Sequence, residues 1–250
     1  MTQPRMTVRF AAVTHPGLVR PDNEDACLAA PPVFLVADGM GGHEGGERAS
    51  GEVRRRFQES SAGEWLSGAE ITRIVRRAAD NIESLEHRGR PPGSTVAGVA
   101  LARYAGTPCW LVFNIGDSRV YLMRSGELRQ ISVDHSVGSH SGQGDRPRLT
   151  RARVGDRMLV CTDGLSNAVA KEQLAAAMVG DDDPQETVQH LLDEALAAGG
   201  RDNVSLMVVD CLEVIQVAGD ELDDVMSLDE SEEETVSWNH DDTIPDPEGK

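Results

Sequence analysis

Four aspartates fall in short glycine- or asparagine-bearing turns: Asp38-Gly39, Gly116-Asp117-Ser118, Asp163-Gly164 and Asp202-Asn203. Two of them follow apolar runs, Phe34-Leu35-Val36-Ala37 before Asp38 and Met158-Leu159-Val160-Cys161 before Thr162-Asp163. A strand that ends in Asp-Gly holds its carboxylate at the rim of a sheet while glycine lets the backbone turn away. Converging from remote stretches of chain, several such carboxylates would make an all-oxygen pocket suited to Mg2+ or Mn2+. The chemistry of such a pocket is hydrolysis by two hard metal ions that share and activate one water. Carboxylates gathered so closely repel one another without cations, so metal binding and local folding should be coupled. Any one Asp-Gly alone is an ordinary turn.

Strands and helices must carry those turns to one place. Residues 7–13 alternate Val8, Phe10 and Ala12 with polar or small residues, the pattern of a half-buried strand. Residues 33–37 form a continuous apolar run, as in a strand covered on both faces. Three further strands are predicted at 95–104, 110–115 and 119–124, and a last one at 204–209. Glycine or proline between neighbours predicts antiparallel pairing. A helix is predicted over 44–58, entered after Gly41-Gly42. Ser67-x-x-Glu70 is a capping box that opens a helix with Ile71, Ile74, Val75, Ala78 and Ile82 on one face and Arg73, Arg76 and Arg77 on the other. Asp183-Pro184-Gln185-Glu186 supplies an N-cap, a first-turn proline and an N3 acid for a helix to about 196, stopped by Gly199-Gly200. Strands in runs with helices in pairs indicate an α+β layered domain rather than a doubly wound sheet.

Composition bounds the function. The chain has 250 residues, 39% of them hydrophobic, and a mean hydropathy of -0.35. No apolar run approaches the roughly 18 residues of a membrane span, and residues 1–7 lack the apolar stretch of a signal peptide. A cytoplasmic protein is expected. Cys27, Cys109, Cys161 and Cys211 are widely separated and lie in or beside apolar stretches, so buried free thiols are expected rather than disulfides or a zinc site. The net charge is -18, of which residues 213–250, with 14 acids and one Lys, carry -13. Residues 1–212 hold 28 acids and 23 bases. No concentrated basic surface exists for nucleic acid. Residues 213–250 are expected to be a solvated, disordered tail after a domain spanning 1–212.

Six elements stand in one order: Gly17-Leu18-Val19-Arg20-Pro21-Asp22-Asn23-Glu24-Asp25, Ala37-Asp38-Gly39-Met40-Gly41-Gly42-His43, Gly93-Ser94-Thr95, Asn114-Ile115-Gly116-Asp117-Ser118-Arg119, Thr162-Asp163-Gly164 and Gly200-Arg201-Asp202-Asn203. Over about 7–211 this resembles the metal-dependent PP2C-type serine/threonine phosphatases, especially their compact bacterial members. The resemblance implies a four-layer α-β-β-α sandwich of two antiparallel sheets, with two Mn2+ or Mg2+ ions at one end. It implies that Asp38 bridges the metals, that the Gly39 carbonyl binds one of them, and that Asp163 and Asp202 complete the second site. Glu24 matches an acid that reaches the metal through water, and Asp25 an acid just outside the ligand set. Asp117 matches a ligand of a weaker third metal. Arg20 matches the arginine that clamps the substrate phosphate, a task suited to a planar guanidinium fork that lysine lacks.

The implied reaction is hydrolysis of phosphoserine and phosphothreonine by activated water without a phosphoenzyme. The implied partners are phosphorylated proteins, above all a cognate kinase and its substrates, met by a monomer. Two departures stand out. Met40 occupies the position where some relatives place a proton-donating histidine, leaving His43 or water for that role. Residues 137–148, where bacterial relatives carry a helical flap, lack helical periodicity, so a shortened loop and an open groove are expected, with Arg146 and Arg148 nearby. Thr235 and Thr243 stand in acidic surroundings that a kinase would recognise. A catalytically inactive phosphoprotein-binding module and a hydrolase for small phosphate esters remain as alternatives.

Overall fold

Alternating apolar side chains build two antiparallel sheets that share one interior. In the computed structural model, which describes residues 3–41, 44–86, 91–134, 147–180 and 182–216, one sheet has the order β1 (Arg5–His15), β11 (Val204–Ile215), β10 (Arg157–Cys161), β7 (Arg119–Arg124) and β8 (Glu127–Gln130). The other runs β2 (Asp25–Ala30), β3 (Val33–Met40), β5 (Val96–Tyr104), β6 (Thr107–Ile115) and β9 (Arg148–Arg151), with β4 (Gly93–Ser94) beside the end of β3. His43, residues 137–146 of the expected loop, His135-Ser136 and the tail beyond 216, with Thr235 and Thr243, lie outside the described residues.

The run at 33–37 is apolar on both faces because both are covered. Phe34 and Val36 pack between the sheets with Trp110, Met158, Val160 and Met207. Val33, Leu35 and Ala37 face the opposite way, against α1 (Glu44–Ser60) and α2 (Gly68–Glu83). On the far side, Leu159, Cys161, Leu206 and Val208 pack on α4 (Lys171–Met178) and α5 (Pro184–Ala197). This is the expected four-layer α-β-β-α sandwich. Fully buried Phe or Leu side chains each contribute roughly 1.5–3 kcal/mol to it.

Local signals set the helix ends. Ser67 Oγ accepts from Glu70 N–H at 3.3 Å while Ser67 N–H donates to Glu70 Oε2 at 2.8 Å, and Ile71, Ile74, Ala78 and Ile82 are buried. Asp183 Oδ1 accepts from Gln185 N–H at 2.9 Å with Pro184 in the first turn. Cys109, Cys161 and Cys211 are buried, Cys27 is half-buried, and all four are free thiols. Among the described residues no helix is long and apolar enough to cross a membrane.

Two differences from the sequence expectation matter. Residues 25–30 form a strand that was not foreseen, and its pairing sets Asp25 directly opposite Asp38. The strand predicted at 204–209 runs on to Ile215, pairing Thr7 with Glu213 and Arg5 with Ile215; Glu213 to Ile215 therefore belong to the sheet rather than to the tail. The His15–Val204 end of this β1–β11 pair adjoins Asp202, whereas its Arg5–Ile215 end lies at the pole away from Asp163 and Asp202. That pole is fastened by buried charge. Asp156, 1% exposed in its side chain, accepts from Trp110 Nε1 at 3.0 Å, from Arg153 N–H at 2.9 Å and from Arg124 at 2.7 Å. Asp210 accepts from Arg157 Nε at 2.6 Å and Arg9 Nη2 at 2.8 Å.

Candidate active site

Asp38 lies in the last turnless stretch of β3, and Asp163 opens α3 (Asp163–Ser166) directly after β10. Asp117 sits between β6 and β7, and Asp202 just before β11. The carboxylates meet electrically. Burial first, then Asp25, Asp163, Asp202 and Asp117, push the Asp38 carboxyl up to about 8. Burial, with Asp117 and Asp202, also raises Asp163. Burial raises Asp25 to about 6, against hydrogen bonds from Ser205 and Thr162 that lower it. A cation is the group that would relieve such repulsion. Among the described residues, however, no three acidic, histidine or cysteine side chains are grouped closely enough to hold a metal ion as they stand. Two of the acids are engaged elsewhere: Asp202 Oδ2 pairs with Arg20 Nη2 at 2.9 Å, and Asp25 Oδ2 accepts from Thr162 Oγ1 at 2.9 Å. Asp25 Oδ1 is buried without a hydrogen-bond partner.

The two Asp-Gly glycines do a different job from the one expected. Neither Gly39 nor Gly164 has a positive φ, so neither is needed for a left-handed turn; β3 continues through Gly39 and pairs it with Ser94, and Gly164 lies in α3. Both permit contact instead. A Cβ on Gly39 would lie 2.1 Å from the Gly46 carbonyl oxygen, and one on Gly164 would lie 1.9 Å from the Asn203 carbonyl oxygen. Among the glycines beside these aspartates, Gly116, at φ +106°, is the one that needs the left-handed region.

Gly46, in the first turn of α1, was not singled out by the sequence. The position its Cβ would fill is 2.1 Å from Glu24 Oε2 and 2.9 Å from the Gly39 carbonyl oxygen. Two oxygens expected to reach metal thus share a cradle that any side chain would occupy. This cradle, the carboxylate repulsion and the absence of soft donors are what a pair of hard cations requires.

Asn203 and Thr95 hold the set together, and both roles span separations too long for a local pattern to show. Asn203 Nδ2 donates to the Pro16 and Asp22 carbonyls, each at 2.9 Å, and its Oδ1 accepts from Glu24 N–H at 2.8 Å. It thereby staples the segment bearing Arg20 and Glu24 onto the start of β11. Thr95 Oγ1 accepts from Asp38 N–H at 3.0 Å and shares a hydrogen with Ser118 Oγ at 2.8 Å. It ties Asp38 to the Asp117 turn. Asn167 Nδ2 holds Asp163 Oδ2 at 3.1 Å.

Arg20 reaches the same rim. Its guanidinium is held above the usual range by the hydrogen bond and charge of Asp202, with Glu24 and Asp38 adding to it. Nη2 is the atom that meets Asp202. Nε and Nη1 make no hydrogen bond among the described residues, which leaves these donors for phosphoryl oxygens. Met40, half-exposed at the end of β3, offers no proton.

Two stacked antiparallel sheets with outer helices, and acids carried to one rim, match the architecture implied by the sequence resemblance. The chain belongs to the protein phosphatase 2C family, whose profile matches residues 17–198. It is 34% identical over 247 residues to the serine/threonine protein phosphatase PstP of Mycobacterium tuberculosis H37Rv, a match covering 85% of this chain and 47% of PstP. The chain thus spans about half the length of that relative. It is 26% identical over 220 residues to the serine/threonine phosphatase stp of Listeria monocytogenes, covering 72% of this chain and 84% of stp. Among solved structures, the PstP catalytic domain in complex with two manganese ions superposes with a TM-score of 0.73 at 32% identity, over 84% of this chain and all of that one. The Mycobacterium smegmatis phosphatase MsPP, in complex with cacodylate, gives 0.68 at 28% identity, over 82% and 98%.

Proposed function

We propose that this protein is a Mg2+- or Mn2+-dependent protein phosphatase that hydrolyses phosphoserine and phosphothreonine. The observation that carries it is the convergence of Asp38, Asp163, Asp202 and Asp117 from four separate stretches of chain, where burial first, then Asp25 and these neighbouring charges, push the Asp38 carboxyl up to about 8. Family membership and the manganese complex of the PstP domain support the same assignment.

In this proposal Asp38, the Gly39 carbonyl and, through water, Glu24 would hold one ion, and Asp38 with Asp163 and Asp202 the other. Asp117 would serve a weaker third site with Asp163. When bound, the pair of ions would supply an activated water and stabilise charge on the phosphoryl oxygens. Arg20 uses the guanidinium donors that Asp202 does not occupy to orient the phosphoryl group. Thr95 fixes the Asp38 backbone, and Asp25, held by Thr162, keeps the ligand carboxylates in place from behind. No side chain at Met40 donates to the leaving oxygen, so that proton comes from water. The partners are a serine/threonine kinase and its substrates, met by a cytoplasmic monomer.

Hydrolysis of p-nitrophenyl phosphate and of phosphothreonine peptides, each with and without Mn2+, tests the assignment. Asp38→Asn is expected to abolish turnover and weaken Mn2+ binding in calorimetry; near-normal activity would overturn the site. Nucleotides hydrolysed in preference to peptides would point to a small-ester hydrolase. Peptide binding without turnover would point to an inactive binding module.

A further inference from the structure

Leu18 and Val19 are 64% and 66% exposed, as exposed as any large apolar side chain among the described residues. Val154, at 64%, matches them but stands alone in the turn before β10. Leu18 and Val19 instead stand side by side, immediately before Arg20, at the rim of the acidic cluster. Exposed aliphatic side chains are unremarkable singly; a pair fixed next to a phosphate-binding arginine is a surface in want of a partner.

The turn that displays them is anchored at several points. Gly17, at φ +79°, has its Cα so close to the loop before β11 that a Cβ would lie 2.2 Å from the Asp202 carbonyl oxygen. Leu18 N–H donates to the Gly200 carbonyl at 2.6 Å, and Asn203 Nδ2 holds the carbonyls of Pro16 and Asp22 on either side. Leu18 Cγ rests over Gly200, where a Cβ would approach it to 2.9 Å. The base of the pair is therefore fixed while the outer methyl groups face solvent. A preorganised apolar surface loses little freedom on binding, so contact with it adds to affinity with little ordering cost.

We propose that Leu18 and Val19 form a specificity-determining contact that receives an aliphatic or aromatic side chain next to the phosphorylated serine or threonine of a protein substrate. The proposal rests on the phosphatase assignment above and deepens it. With the phosphoryl group held at Arg20, residues flanking the phosphoresidue must cross the adjoining turn, and that turn offers methyl groups rather than charge. Substrates with an apolar neighbour are favoured over those whose neighbours are polar or acidic, the more so because the rim itself is acidic.

The test compares the wild type with Leu18→Ser, Val19→Ser and the double variant. Three substrates are used with Mn2+: p-nitrophenyl phosphate, phosphothreonine peptides with Leu or Val beside the phosphoresidue on either side, and the same peptides with Ser there. Because the Leu18 backbone bond survives these changes, the small ester should be hydrolysed by every variant as by the wild type. The double variant should lose roughly tenfold in kcat/KM on at least one apolar-flanked set, mainly through KM, and little on the Ser-flanked peptides. An equal loss on all substrates would mean a displaced Arg20 and would overturn the contact, as would no loss on any. A wild type that turns over the small ester but no phosphopeptide sinks the protein-substrate assignment itself, and the contact with it.

Discussion

Gly46→Ala separates stability from catalysis at this site. The new methyl carbon would stand 2.1 Å from Glu24 Oε2 and 2.9 Å from the Gly39 carbonyl oxygen. Ordinary contact between such atoms begins at more than 3 Å, so the Glu24 carboxylate must retreat by about 1 Å or rotate away, and the Gly39 carbonyl must give by about a few tenths of an ångström. It is the far end of a flexible side chain, and a displaced rotamer costs about 0.5–1.5 kcal/mol. Replacing glycine by alanine within a helix returns up to about 1 kcal/mol. Stability should therefore change by no more than about 1 kcal/mol, a Tm shift of roughly 2–4 °C in either direction for a domain of this size. Function should not be so tolerant, because misplacing a positioned group by about 1 Å costs on the order of a hundredfold in rate. The assays are thermal unfolding, Mn2+ titration calorimetry and kcat on p-nitrophenyl phosphate. A variant with both its Tm and its kcat intact would refute the role given to Glu24 and to the cradle at Gly46. A collapse in Tm would refute the claim that the flexible Glu24 side chain absorbs most of the strain.

Asn203→Asp keeps shape and the acceptor for Glu24 N–H but turns an oxygen toward the Pro16 and Asp22 carbonyls. Losing two hydrogen bonds and gaining repulsion should destabilise by about 2–4 kcal/mol and raise KM for phosphopeptide; a Tm within about 1 °C of wild type would refute the staple. Asp156→Ala leaves Arg124 and the Trp110 indole without their buried acceptor, and urea denaturation should report a loss of about 3–5 kcal/mol. Its Mn2+ affinity should stay at the wild-type value, since Asp156 lies at the other pole. Burial pushes the Cys161 and Cys211 thiols up to about 12, so iodoacetamide at pH 8 should leave both unlabelled in the folded protein, as read by mass spectrometry. Prompt labelling of Cys161 in the native state would contradict its complete burial.

Much of the layered fold was legible because each signal is local. The doubly apolar run at 33–37, the Ser67–Glu70 box and the Asp183-Pro184 helix start each depend on residues within one turn or strand. Residues 25–30 were not legible as a strand: Asp-Ala-Cys-Leu-Ala-Ala has little β-branched character, and pairing with β3 rather than propensity makes it extended. The acidic residues of the site stood out by type and order. The groups that position them did not, for Asn203 acts over 179 residues to reach Glu24 and Thr95 over 57 to reach Asp38. Glycine is ambiguous in a sequence, since a residue needed for a left-handed φ and one needed for close approach look alike. Gly39 and Gly164 were assigned the first role and have the second.

Because Arg5 and Ile215 are paired neighbours, the segments before and after the sandwich depart together. Strand rise over the twelve residues of β11 carries that shared exit roughly 35 Å from Asp202. A resin, a dye or a fused reporter attached at either side of the exit would leave the acidic rim turned outward and open to solution. Joining the two ends by a short linker and reopening the chain at the exposed Ala105-Gly106 hairpin would be a natural route to a permuted form.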